Sequence, residues 1–229
     1  MSPFQITALV FVVAVPALVW MFDRQPHTAH LTKICERGLA AALVLAFLGE
    51  LVAKVSDGTF NAANALPMQL CDWALFTISA ALWWRWRAGF DVAYFWGLAG
   101  TAQALFTPAI PSDLPWPRVL GFFLIHAGIV AGVLHLLLTG RFRPEWSRSI
   151  VRLFIASEGY VVTALMVNAL TGGNYGFLSH KPITRSMLDL FSDTHWLYVL
   201  EINLIAWLFF AVLYLPWAIA DASRRRHLQ

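Results

Sequence analysis

Seven apolar stretches, each about twenty residues long and separated by short polar gaps, leave this chain few ways to fold. In hydrocarbon no water meets an unpaired backbone N–H or C=O, so such stretches become helices whose hydrogen bonds close within each segment. The spans are predicted near residues 4–22, 37–55, 66–84, 89–108, 118–138, 149–171 and 196–220. Composition agrees, because 59% of the chain is hydrophobic and only 13% charged, too little charge to cover a water-facing surface. The fold class expected is therefore all-α, a polytopic helical bundle with about seven transmembrane helices. No linker, repeat or charge block divides residues 1–229 into further domains.

Lys and Arg set the orientation. Arg24, Lys33, Arg37, Arg85, Arg87, Arg141, Arg143, Arg148, Arg152 and Arg224 to Arg226 would lie on one side, against Lys54, Arg118, Lys181 and Arg185 on the other. Positive charge is retained in the cytoplasm during insertion, so the twelve-charge side is predicted inside, with the amino terminus out and the carboxyl terminus in. The net charge of +3 reflects these topology signals and not a nucleic-acid surface. Cys35 and Cys71 then fall on opposite sides and cannot form a disulfide. Trp83, Trp84, Trp86, Trp116, Trp146 and Trp196 fall at span ends, as anchors at headgroup level. Gly128 with Gly132, and Gly97 with Thr101, are read as small-residue pairs that let helices approach.

Polar groups inside hydrocarbon need a partner, a cavity or a function. Cys71 and His126 are expected roughly 8 and 12 Å below the outer surface, at 1.5 Å per residue. Glu50, Gln69, Asp72, Gln103, Thr107, Asn168, Glu201 and Asn203 join them in the outer half; Asp91, His135 and Glu158 lie further in. Taken singly, an intramembrane cysteine is a small hydrophobe and an intramembrane histidine an interhelical hydrogen-bonding group. Their convergence supplies the components of an activated nucleophile and its base. Asp72 follows Cys71 directly, so on a helix it points about 100° away and cannot serve as the thiol's base by direct contact. His126 is the better base.

No Lys follows Lys181, so the last helix offers no retinal Schiff base. Phosphate-cradling loops, CxxC and HExxH are absent, and the seven His residues are scattered. No cofactor and no metal are expected.

Four segments together resemble a known family: LPMQLCDW at 66–73, AYFWGLAGTAQALFTP at 93–108, FFLIHAGIV at 122–130 and NYGFLSHKP at 174–182. They look like the YwaF family of bacterial membrane proteins, itself similar to animal transmembrane protein 164, a phospholipid acyltransferase. The resemblance implies acyl transfer with Cys71 as the acyl-accepting nucleophile and His126 as base, and phospholipids or lysophospholipids as partners. On that basis Gln69, Asp72, Gln103, Asn168 and Asn174 are pocket or oxyanion candidates, and Lys181 and Arg185 headgroup-binding candidates. Residues 172–195 could form a lid or a plain connecting loop. The alternative is a non-catalytic carrier or receptor that binds a small solute or lipid in the same polar pocket, or a scaffold whose polar groups merely join helices.

The orientation is testable by thiol labelling. In a Cys35→Ser background, Ser223→Cys should react with a membrane-impermeant maleimide only after cells are opened. Labelling in intact cells would reverse the topology.

Overall fold

A computed structural model describes residues 2–24, 29–108, 110–111, 114–182 and 186–226. Among these residues there are helices and no strand. The long elements are α1 (Pro3–Asp23), α2 (Ala29–Ser56), α3 (Leu70–Trp84), a composite α4, α5 (Trp116–Leu138), α6 (Trp146–Thr171) and α7 (His195–Arg226). Helix α4 consists of Arg87–Phe95, a π-helical turn Trp96–Thr101, and Ala102–Phe106. Two short 3₁₀ turns, Tyr175–Phe177 and Met187–Leu190, lie between α6 and α7. The chain is thus a multi-pass helical bundle in which α1, α2, α5, α6 and α7 are each long and apolar enough to cross a membrane.

The predicted span at 66–84 begins later than expected. Pro67 holds the residue before it away from the helical region, and Gln69 is extended (φ −72°, ψ 149°), so α3 starts at Leu70 and has 15 residues. At its other end Arg85 takes a left-handed conformation and Trp86 an extended one, turning the chain into α4 within two residues. Gly172, at φ 72°, ends α6 in the left-handed conformation that glycine adopts without strain.

Ion pairs between helices collect at two ends among the described residues. At one end Arg141 lies 2.8 Å from both Asp23 and Glu36. His135 Nε2 is 3.1 Å from the same Glu36, which is almost fully buried. Asp91 has no exposed surface; Arg87, Arg152 and the Ser149 hydroxyl meet it. Arg143 pairs with Asp221 near the end of α7. At the other end Gln5 Nε2 donates to the Leu105 carbonyl, and Arg118 lies 2.6 Å from Glu50 and 3.5 Å from Asp57. The start of α1 and the end of α7 therefore lie at opposite ends of the bundle. Cys35 is next to Glu36 at the cation-rich end, Cys71 is at the other, and both are free thiols.

Between these ends the helices meet through aliphatic and aromatic side chains, small residues and a few hydrogen bonds, among them Trp96 Nε1 to Ser157 Oγ and the Asn203 and Trp207 side chains to Glu158. A β-carbon at Gly132 would lie 2.9 Å from Ile78 on α3, and one at Gly97 would lie 3.3 Å from Ile129 and Val133 on α5. These glycines set the close approach of α5 to α3 and α4. Gly89 is tighter: its β-carbon would fall 2.5 Å from the Trp86 ring and 2.7 Å from the Thr77 carbonyl, and a backbone carbonyl cannot yield as a side chain can. Gly89→Ala should therefore destabilise the protein by about 1–3 kcal/mol. Gly38→Ala, at a site open around the glycine, should leave the thermal midpoint in detergent unchanged or slightly raised.

Candidate functional site

Cys71 is the second residue of α3, half-buried in its first turn. Its level follows from packing. Ile78 on α3 meets Gly132 on α5, and both helices run from the Glu50–Arg118 end toward the cation-rich end. Two turns back from that contact stand Cys71 on α3 and Ile125, beside His126, on α5. The thiol and the imidazole thus lie at about one level of neighbouring helices, with His126 one residue, about 100°, round α5 from the face that meets α3. Among the described residues no hydrogen bond joins them.

The polar neighbour of the thiol on α4 is Thr101, the last residue of the π turn. Gly100 brings the turn against α3, since a β-carbon there would lie 3.0 Å from Leu70. Thr101 has no exposed surface, and its hydroxyl has no hydrogen-bond partner of full geometry. Sequence reasoning treated Thr101 as packing only. The signal available was a small polar residue in a Gly-Leu-Ala-Gly-Thr stretch prone to a register change, and π turns recur at functional sites.

His126 is buried at 8% exposure and stacks on Phe122, with ring centroids 4.0 Å apart. Its Nδ1 lies 2.7 Å from the Phe122 carbonyl, so Nδ1 carries the proton and donates. In the neutral ring this leaves Nε2 as the basic nitrogen, with no hydrogen-bond partner among the described residues.

Gln69 and Asp72 frame the start of α3. Asp72 Oδ2 accepts from the Gln69 backbone N–H at 2.9 Å, and Gln69 Oε1 accepts from the Gly176 N–H at 3.1 Å. The second bond ties α3 to the loop after α6, which is folded onto residues 61–69. Tyr175, fully buried, donates its hydroxyl to the Ala62 carbonyl and accepts from the Leu66 N–H. Gly176 (φ 65°) lies where a β-carbon would come 2.5 Å from the Tyr160 hydroxyl, a position open only to glycine. Tyr160, Trp73 and Trp96 form an aromatic wall with centroids 5.4 to 6.2 Å apart.

The remaining candidates serve this loop or lie apart from it. Asn168 Nδ2 donates to the Tyr175 carbonyl and Oδ1 accepts from the Tyr175 N–H. Asn174 Oδ1 accepts from the Ser179 and His180 N–H groups, and its Nδ2 donates to the His180 carbonyl. Gln103 is exposed on the last segment of α4, and no side-chain hydrogen bond is seen for it among the described residues. Lys181 Nζ donates to the Phe191 carbonyl and to Asp193, each at 2.7 Å, and this ammonium holds the Asp193 carboxyl below its usual pKa. Arg185 lies outside the described residues. Among those residues no three His, Cys, Asp or Glu side chains are grouped to hold a metal ion.

The family model for the TMEM164 family matches residues 1–214, which include every element described here except the last turns of α7. The chain belongs to the TMEM164 family. This agrees with the resemblance carried by the four sequence segments. No curated protein and no solved structure matched the chain.

The Asn168–Tyr175 pair is the clasp of the loop. Asn168→Leu keeps the volume but leaves the Tyr175 N–H without a partner and its carbonyl with only the Leu178 N–H, at about 1–3 kcal/mol for the buried donor alone. Amides of residues 174–180 should then exchange hydrogen faster, by mass spectrometry, than in the unaltered protein. Unchanged protection would show that the clasp holds nothing.

Proposed function

We propose that this multi-pass membrane protein is a phospholipid acyltransferase of the cell membrane that works by transacylation, with Cys71 as nucleophile and His126 as base. The observation that carries this reading is the arrangement at one level of the bundle: a half-buried thiol in the first turn of α3, a buried hydroxyl without a partner beside it, and an imidazole on the adjacent helix whose basic nitrogen is open. Membership of the TMEM164 family supports the same assignment.

In the first half-reaction His126 Nε2 takes the thiol proton, and Cys71 Sγ attacks the ester carbonyl of a donor phospholipid. The C–S bond forms as the ester C–O bond breaks, and the leaving lysophospholipid oxygen receives the proton from His126. In the second half-reaction the hydroxyl of an acceptor lysophospholipid gives its proton to His126 and attacks the thioester, releasing the Cys71 thiol. A tetrahedral oxyanion forms in each half-reaction. Donors near Cys71 are the Leu70 and Cys71 N–H groups in the first turn of α3, ahead of the Asp72 and Trp73 N–H groups that bond the Gln69 carbonyl, and the Thr101 hydroxyl. Gln69 and Asp72 position the turn, while Asn168 and Asn174 hold the loop above it.

The charge split puts Cys71 toward the outer leaflet, away from cytoplasmic acyl-CoA, so a membrane phospholipid is the natural donor. The purified protein should move a labelled chain from phospholipid to lysophospholipid without CoA. Cys71→Ala should abolish transfer, and His126→Gln should lower it by about 10²–10⁴, with thermal midpoints unchanged in both. Undiminished turnover in Cys71→Ala would remove the thioester mechanism. Lipid binding without turnover in the unaltered protein would favour a carrier.

A further inference from the structure

At the cation-rich end, far from Cys71, a cavity of about 440 Å³ opens between the start of α2 and the turn from α3 to α4. It is lined by Lys33, Arg37 and Arg85 together with Trp83, Trp84 and the edge of Glu36. The charges do not cancel. Glu36 is already met by His135 and Arg141, and Arg85 reaches it only at 3.4 Å. Lys33 and Arg37 are exposed, and neither is paired with a carboxylate among the described residues. By contrast Arg87, Arg118, Arg141, Arg143 and Arg152 are each paired with one.

Two features turn these cations toward a common point. Lys33 and Arg37 are one helical turn apart and share a face of α2, and the Arg37 guanidinium lies over the Trp83 ring, 5.5 Å from its centroid. Arg85 is held at φ 56°, a left-handed position where a residue with a β-carbon is uncommon and glycine is the usual occupant. Trp84, 74% exposed, and Trp83, 40% exposed, flank the opening. Indole rings settle at headgroup level, so the cavity mouth belongs at the membrane surface.

We infer that Lys33, Arg37 and Arg85 form a binding site for the phosphate of an anionic phospholipid headgroup, with Trp83 and Trp84 as its rim. Three cations around one recess suit a phosphodiester bearing net negative charge, whereas a zwitterionic headgroup would bring its own ammonium into the same positive field. The site is independent of acyl transfer, because it lies at the opposite end of the bundle and needs no chemistry.

The test is native mass spectrometry of the purified full-length protein in detergent, titrated with phosphatidylglycerol or phosphatidylcholine. The unaltered protein should retain phosphatidylglycerol in preference. Lys33→Gln and Arg37→Gln, both at exposed positions, should each weaken that retention about fivefold. Arg85→Gly removes the guanidinium while giving the backbone the residue its φ favours, so it should weaken retention similarly, and the thermal midpoint reads the loss of its contact with Glu36 separately. Equal retention of the two lipids, or undiminished phosphatidylglycerol in the Lys33→Gln/Arg37→Gln double variant, would overturn the site. A third arm adds inorganic phosphate or glycerol phosphate: failure to displace the lipid supports a headgroup site, and displacement at millimolar concentration would overturn the lipid assignment in favour of a soluble phosphate.

Discussion

Asp91 has no surface exposed, yet carries a carboxylate in a bundle made almost entirely of apolar helices, and it fixes where α4 and α6 meet. An unpaired buried carboxylate would cost several kcal/mol, so the fold must bring it partners. Arg87 comes from its own helix, one turn earlier, while Ser149 and Arg152 come from α6. Arg87 in turn reaches Glu145 and the Arg143 carbonyl in the connection before α6, and Arg143 continues to Asp221 on α7. Glu36 does the same for α1, α2, α3 and α5 through Asp23, Arg85, His135 and Arg141. Two buried carboxylates thus fasten one end of the bundle, and the glycine contacts deeper in set the spacing between helices. The Ile78–Gly132 contact sets Cys71 about level with Ile125, the neighbour of His126.

The helices were legible because a hydrocarbon solvent permits little else, and apolar length reports them directly. Their ends were less so. The span at 66–84 loses its first turn to Pro67 and the extended Gln69, and no periodicity marks the π turn at Trp96–Thr101. That turn inserts one residue into the register of α4, so Thr101, a packing residue on an ideal helix, comes to rest beside Cys71. The notion of a small-residue pair with Gly97 was half complete: Gly97 does pack on α5, while Thr101 brings a hydroxyl to the site.

Polar residues were easy to find and their partners hard to foresee, because a partner is chosen by tertiary contact and not by spacing. Asn168 and Asn174 look alike in sequence as amides near the outer surface. Both are spent on the backbone of the loop at 173–180. Lys181 is held by Asp193 and the Phe191 carbonyl within the same region. Conversely Lys33, Arg37 and Arg85 register in sequence only as topology charges. It takes the two-residue turn between α3 and α4 to bring them around one recess.

The capping loop bears on how a substrate would reach Cys71. Tyr175 is fully buried between residues 62 and 66, and Gly176 is bonded to Gln69 two residues before the thiol. Direct access from the water above α3 is therefore obstructed by a loop held in place by at least five hydrogen bonds to α3, α6 and the segment before α3. A lipid need not take that route, since its acyl ester sits near the headgroup boundary and can enter sideways between helices. Of the aromatic residues Trp73, Trp96 and Tyr160, Trp73 alone keeps appreciable surface for such a chain, with the other two rings buried behind it. For a thioester on Cys71 the same cap would serve a second purpose: water is the competing acceptor, and a site closed to water favours transfer to a lipid hydroxyl over hydrolysis.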